Sequence, residues 1–252
     1  ATAAARFDGR GVRLDTIEVA KSTGAITGAA FVGWDGTYSF NADGRRIPVD
    51  AIAGLSYPRA PLSGLAEFTA QGNGAFEEPQ YDVRFRVNDL YVAEEGVGQV
   101  TGTLALRRQE LRGEIDVASP RLAVTGTGRI ALTRQSDAEI TFRFHDSSLD
   151  PYVRLFVPSL SEYTTAIAGG SIRVVGPLGD LDRLQVDGTV DSLELRLLDY
   201  AVHNATPIRL SLARRQIRVN ELRLEGVDTR LRVGGTVGLQ DERIALQVAG
   251  DA

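Results

Sequence analysis

Apolar and polar residues alternate along most of this chain with a period of two, the spacing of side chains on a β-strand with one greasy and one wet face. The clearest stretch is Thr229-Arg230-Leu231-Arg232-Val233-Gly234-Gly235-Thr236-Val237-Gly238-Leu239, where odd positions are mainly aliphatic and even ones are Arg, Gly or Thr. The same alternation recurs at Tyr81-Val83-Phe85-Val87, Leu104-Leu106, Leu122-Val124, Ile140-Phe142-Phe144, Leu184-Val186-Val190 and Ile244-Leu246-Val248. Helical periodicity is nearly absent. Gly is spread through the sequence between these segments, as turns between brief strands would require. The pattern predicts an all-β fold of a dozen or more short, mainly antiparallel strands.

The alternation slips by one residue wherever an aliphatic-(Asn/Asp)-x-aliphatic element occurs. The instances are Leu14-Asp15-Thr16-Ile17, Val87-Asn88-Asp89-Leu90, Val190-Asp191-Ser192-Leu193 and Val219-Asn220-Glu221-Leu222. A spacing of three on a flat strand would send the second aliphatic to the wrong face. An inserted bulge residue or a tight turn must therefore restore its direction, and short Asn and Asp tolerate such a backbone. Both aliphatics of each element are expected on one apolar surface.

One segment departs from the strand pattern. In Ser147–Gly170, Asp150 can cap a helix opening at Pro151, Leu155 and Phe156 supply a buried face, Pro158 breaks or kinks it, and Gly169-Gly170 returns the chain to strand. The expected organisation is a first β-rich half over 1–146, a helical insert over 147–170 with its helix near 149–168, and a second β-rich half over 171–252. The three together are expected to form one continuous grooved unit, a segment of a larger protein. The simplest role for the insert is a plug protecting the end of a sheet.

Composition narrows the chemistry. The 252 residues carry a net charge of −5 and no Cys or Met. Arg is scattered along strands instead of clustered, so the basic footprint of a nucleic-acid binder is missing. Without Cys there are no disulfides, thiol nucleophiles or thiolate metal sites. No apolar run approaches the ~18 residues of a membrane span, which places any anchor outside this segment. The two His, His145 and His203, have no second ligand at i+2 or i+4, so neither a metal nor a catalytic triad is expected. Acidic residues sit mostly at turns such as Gly179-Asp180-Leu181-Asp182, where Asp bonds the local backbone. Gly126-Thr127-Gly128-Arg129-Ile130-Ala131 fits a loose dinucleotide pattern but continues as an alternating strand. The chain is expected to be no enzyme and to need no cofactor.

Several longer stretches carry a likeness. These are Gly169-Gly170-Ser171-Ile172-Arg173-Val174-Val175-Gly176-Pro177-Leu178 with the strand that follows, Asn204-Ala205-Thr206-Pro207-Ile208-Arg209-Leu210, Leu222-Arg223-Leu224-Glu225-Gly226, Leu149-Asp150-Pro151-Tyr152, and Leu62–Phe76 followed by Pro79-Gln80-Tyr81. Together, over roughly Pro48 to Leu246, they resemble the AsmA-like superfamily and, within it, the TamB proteins of the translocation and assembly module. The resemblance implies a periplasmic stack of strands curved into a trough, or β-taco, with an apolar interior, in a protein anchored to the inner membrane outside this segment. It further implies phospholipid movement between the inner and outer membranes, support of outer-membrane biogenesis, and an Omp85-type barrel as partner through parts not present here.

A trough of this kind has a physical rationale. Some ~14 strands at about 4.8 Å spacing give an apolar strip on the order of 60 Å long. Burying ~14 methylenes at ~0.8 kcal/mol each gains ~11 kcal/mol, and a lining without directional partners lets a chain slide. The lining expected to touch phospholipid acyl chains is Val83, Phe85, Val87, Leu90, Leu104, Leu106, Leu122, Val124, Ile140, Phe142, Leu184, Val186, Val190, Leu193, Leu195, Leu197, Leu222, Leu224, Leu231, Val233, Val237, Leu239, Ile244 and Leu246. The competing expectation is a structural or adhesin-like β-sandwich or solenoid, whose apolar face is filled by its own opposing sheet.

Overall fold

The computed structural model describes residues 1–21, 23–52, 61–150, 163–180, 182–198, 200–238 and 244–251. The all-β expectation holds: the described residues form seventeen strands and one 3-10 turn, Val49–Ala51. Contacts divide the chain into two compact units, Ala1–Ser119 and Pro120–Ala252.

In the first unit, β1 (Thr2–Asp8), β2 (Gly11–Lys21), β3 (Gly24–Gly33), β4 (Thr37–Pro48), β5 (Leu62–Ala75), β6 (Glu78–Val92), β7 (Glu95–Arg107) and β8 (Glu110–Ala118) form an antiparallel meander, each pairing with the next. The second unit holds β9 (Ala123–Ala131), β10 (Asp137–Ser148), β11 (Thr164–Pro177), β12 (Gln185–Leu197), β13 (Tyr200–Asn204), β14 (Ile208–Ala213), β15 (Gln216–Glu225), β16 (Arg230–Gly238) and β17 (Ile244–Asp251). Here too the pairing is antiparallel and sequential, except that β13 and β14 share the two halves of β12 and then both meet β15. Pro207, which has no N–H to donate, sits at the break between them. Asn204 bridges the irregularity: its carboxamide oxygen accepts from Leu193 N–H at 2.6 Å, and its NH2 donates to the carbonyls of Asp191 and Thr206.

The strands are longer than the short ones expected. β6 runs 15 residues and β5 and β11 run 14 each, against a usual mean of about 5–6. In β6 the slip element Val87-Asn88-Asp89-Leu90 bends the strand without ending it. The ladder registers shift at Leu14/Ile17, Val87/Leu90 and Val219/Leu222, and β12 slips against Gly169/Gly170 at Val190-Asp191-Ser192. Each is therefore a bulge and not a turn. Leu14 and Ile17 face Ala30 and Gly28, two positions apart on β3, so both aliphatics lie on one face as expected. The pairs Val87/Leu90, Val190/Leu193 and Val219/Leu222 obey the same rule. In the first two elements the positive φ falls on Thr16 (56°) and Asp89 (50°), one residue beyond the Asp or Asn expected to absorb it. Arg46 (53°) and Asp146 (44°) mark two further bulges that lack the motif.

Two expectations about organisation need correction. The boundary between units lies at Ser119–Pro120, not at 146/147 or 170/171. Ser147 and Ser148 belong to β10 and Thr164–Gly170 to β11, and these two strands pair directly, so 147–170 connects a hairpin instead of separating halves. Thr164 to Ala168 cannot be helical as expected, because Ala166 and Ala168 pair with Leu195 and Leu193 and continue the apolar rows of β12. Pro151, Leu155, Phe156 and Pro158 lie outside the described residues. Asp150 is 4% exposed; its carboxylate accepts from Ser148 Oγ–H at 2.9 Å and Ala166 N–H at 3.1 Å, fastening the ends of β10 and β11 together.

Candidate functional site: the apolar faces

Following partners from strand to strand traces rows of side chains that share one face of each unit. In the first unit one row reads Leu14, Ala30, Phe40, Gly72, Tyr81, Leu106, Leu111. The next reads Ile17, Gly28, Ala42, Ala70, Val83, Leu104, Gly113, and the one after Val19, Ile26, Gly44, Phe68, Phe85, Gly102, Ile115. A further row joins Ile47, Ala66, Val87, Val100 and Val117. Not one position in these rows is charged. Large and small residues face each other: a Cβ on Gly44 would strike the Phe68 ring, and Gly72 and Gly102 lie similarly beneath Phe40 and Phe85. Aromatic rings thus lie flat along the sheet, covering neighbouring backbone.

The second unit repeats the arrangement. Val124, Phe144, Gly170, Val190 and Ile208 form one row, and Gly126, Phe142, Ile172, Gly188, Leu210, Val219, Gly235 and Leu246 the next. Gly128, Ile140, Val174, Val186, Leu212, Ile217, Val237 and Ile244 follow. Leu195 joins Ala166 and Val202, and Leu222 joins Val233 and Val248, with Leu224 and Leu231 beside them. Ser147 is the polar exception in a row with Ala168 and Leu193; it is fully buried, and its hydroxyl accepts from Ala123 N–H and lies within hydrogen-bond distance of the Ala123 and His145 carbonyls.

Burial distinguishes these faces from a filled core. β8 alternates half-buried and exposed positions along its length, and Val83, Phe85, Val87, Leu90 and Leu104 are all half-buried. So are Val124, Ile140, Phe142, Leu184, Val186, Val190, Leu193, Leu195, Leu222, Leu231 and Val233. Among the described side chains of the expected lining only Leu106, Leu122 and Leu224 are buried below a tenth exposed, and Leu246 is 42% exposed. Leu197, Val237 and Ile244 are placed by register alone, opposite Thr164, Ile217 and Val237 respectively. Leu239 lies outside the described residues. Six of the expected residues, from Val83 to Leu106, belong to the first unit and the others described to the second.

Sequence reading missed part of the lining. Phe40, Phe68, Val100, Ile172, Val174, Leu210 and Ile217 stand in the same rows; Gly or Ala at a neighbouring inward position hides the alternation at the first five, but not at Leu210 and Ile217, which lie beside Ile208, Leu212 and Val219. The usable signal was an inward aromatic with Gly at the facing position of the next strand.

The opposite faces are hydrophilic. In the second unit Glu139 lies between Arg129 and Arg173, accepting from Arg129 Nη2 at 2.9 Å and from Arg173 Nη2 at 2.5 Å. These bonds, that of Arg173 foremost, hold its carboxyl below the usual Glu range. His145 is exposed, in the polar row with Ala123; His203 is exposed and paired in register with Glu194 and Glu225. No cluster of three metal-ligating side chains occurs among the described residues. Gly126–Ala131 is part of β9, a strand and not a turn opening a helix. Comparison with known protein families, curated proteins and solved structures finds no match for this chain.

Proposed function

We propose that this chain is a lipid-handling segment of an AsmA-like, TamB-type envelope protein, whose apolar sheet faces receive phospholipid acyl chains in transit between membranes. The supporting observation is that apolar rows cross every strand of the first unit from β2 to β8 in register, with most of their large side chains left half-buried, Leu106 and Val100 being the buried exceptions. In a filled sandwich the inward positions of each strand would be fully buried. Here most inward positions stay half-buried while the outward ones between them are exposed, as along β8, which favours a face that takes an external hydrocarbon. The role is one of binding and passage, with no catalytic step. Periplasmic placement, an inner-membrane anchor outside the segment and an Omp85-type partner are parts of the same proposal and rest on the resemblance.

The test is recovery of bound lipid. Purified from bacterial membranes under gentle conditions, the chain should carry phospholipid visible by native mass spectrometry and by extraction. Its recovery free of phospholipid in repeated preparations would overturn the proposal.

A further inference from the structure

The hydrophilic face of the first unit is indented. Two depressions of about 530 and 590 Å3 share Asn41, Gln71 and Asp82, and the first shares Arg13 and Phe31 with a third, of about 390 Å3, beside Trp34. From β2 to β7 these cross five inter-strand gaps, about 24 Å. Along this course lie cross-strand amide pairs: Asn41 faces Gln71, and Asn73 faces Gln80. Among the described residues the side chains of Gln71, Asn73 and Gln80 make no hydrogen bond within the protein.

Each unspent carboxamide offers two donors and an acceptor, a set that suits hydroxyl groups, which donate and accept at one atom. At the end of the depressions Trp34 is 62% exposed, while its indole N–H donates to the Asp8 carbonyl at 3.1 Å. The ring is thereby held in place with its apolar surface open, a platform for the C–H face of a sugar. Charge along the depressions is balanced, Arg10, Arg13, Arg84 and Arg107 standing against Asp15, Asp35, Asp43 and Asp82, and Arg107 grips both carboxylate oxygens of Asp82 at 2.9 and 2.7 Å. A polyanion would need free, clustered Arg, so phosphate-rich ligands fit poorly.

We propose that this face binds a linear, uncharged glycan, one sugar stacking on Trp34 and the following hydroxyls bonding to Gln71, Asn73 and Gln80. The site is on the side opposite the apolar rows, so it stands or falls independently of lipid handling. Trp34 is the only tryptophan in the chain, which makes its fluorescence a direct reporter. Titration of the full chain with cellohexaose, chitohexaose and maltohexaose should give a saturable fluorescence change with at least one of them. A Gln71→Ala/Asn73→Ala double variant, still folded by circular dichroism, should bind that sugar about tenfold or more weakly, for the loss of two hydrogen bonds. An Arg143→Ala variant, in the other unit, should bind it unchanged. No saturable response to any of the three sugars, or undiminished binding by the double variant, would overturn the inference.

Discussion

Leu195→Asp and Val233→Asp are expected to strip most of the bound phospholipid from the protein, while Arg232→Asp leaves it in place. Leu195 sits between Ala166 and Val202, and Val233 between Leu222 and Val248, each half-buried on the apolar side of the second unit. Arg232 is exposed on the hydrophilic side, facing Arg223. A carboxylate on the apolar face keeps its water and holds hydrocarbon away. Losing contact with two or three methylenes costs about 2 kcal/mol, or roughly 30-fold in affinity. Lipid quantified per mole of folded protein measures this, with circular dichroism showing that the sheet survives the buried charge. Equal lipid loading in all three variants would contradict an acyl-contacting role for this face.

Gly170→Val is expected to destabilise the second unit by about 3 kcal/mol or more, whereas Gly188→Ala is neutral or slightly stabilising. Both glycines lie on the apolar face, but in different surroundings. At Gly170, where β12 slips past β11, a Cβ would collide with the Thr189 carbonyl oxygen and lie 2.9 Å from Val190 Cα, both backbone atoms of a paired strand. Neither can swing aside as a side-chain tip would. At Gly188 the nearest atoms are Leu210 Cβ at 3.7 Å and Leu210 O at 3.9 Å, ordinary contact distances. There, adding a methyl reduces the freedom of the unfolded chain without strain. Urea midpoints of the two variants against the parent measure the difference. Similar midpoints for both would mean that the bulge does not need the close strand approach seen at Gly170.

The contrast between these glycines also shows what sequence pattern can and cannot carry. Period-two alternation was enough for the all-β class, because one inward residue in two is a property of each strand by itself. The slip elements were legible for the same reason: Val87-Asn88-Asp89-Leu90 shows its lost residue locally. What a bulge does to strand length was hidden, since β6 continues through Leu90 to Val92 by pairing with β7. The stretch Thr164–Gly170 read as the end of a helical insert because its inward residues are Ala and Gly; only their partners Leu195, Leu193 and Val190 reveal the strand. Phe40 and Phe68 were overlooked on similar grounds, each facing a glycine on the adjacent strand. Cross-strand partnership is non-local, and it decides both where the unit boundary falls and which side chains complete the apolar rows.

The most direct measurement of the central claim is light-induced crosslinking to radiolabelled phospholipid in intact bacteria, from a photoreactive amino acid placed on either side of each sheet. Phe85 and Phe142 stand on the apolar faces, and Arg84 and Arg143 are exposed on the polar ones. Crosslinks to lipid from positions 85 and 142, and none from 84 and 143, are the predicted result. Lipid captured equally from both sides, or from neither, would contradict it.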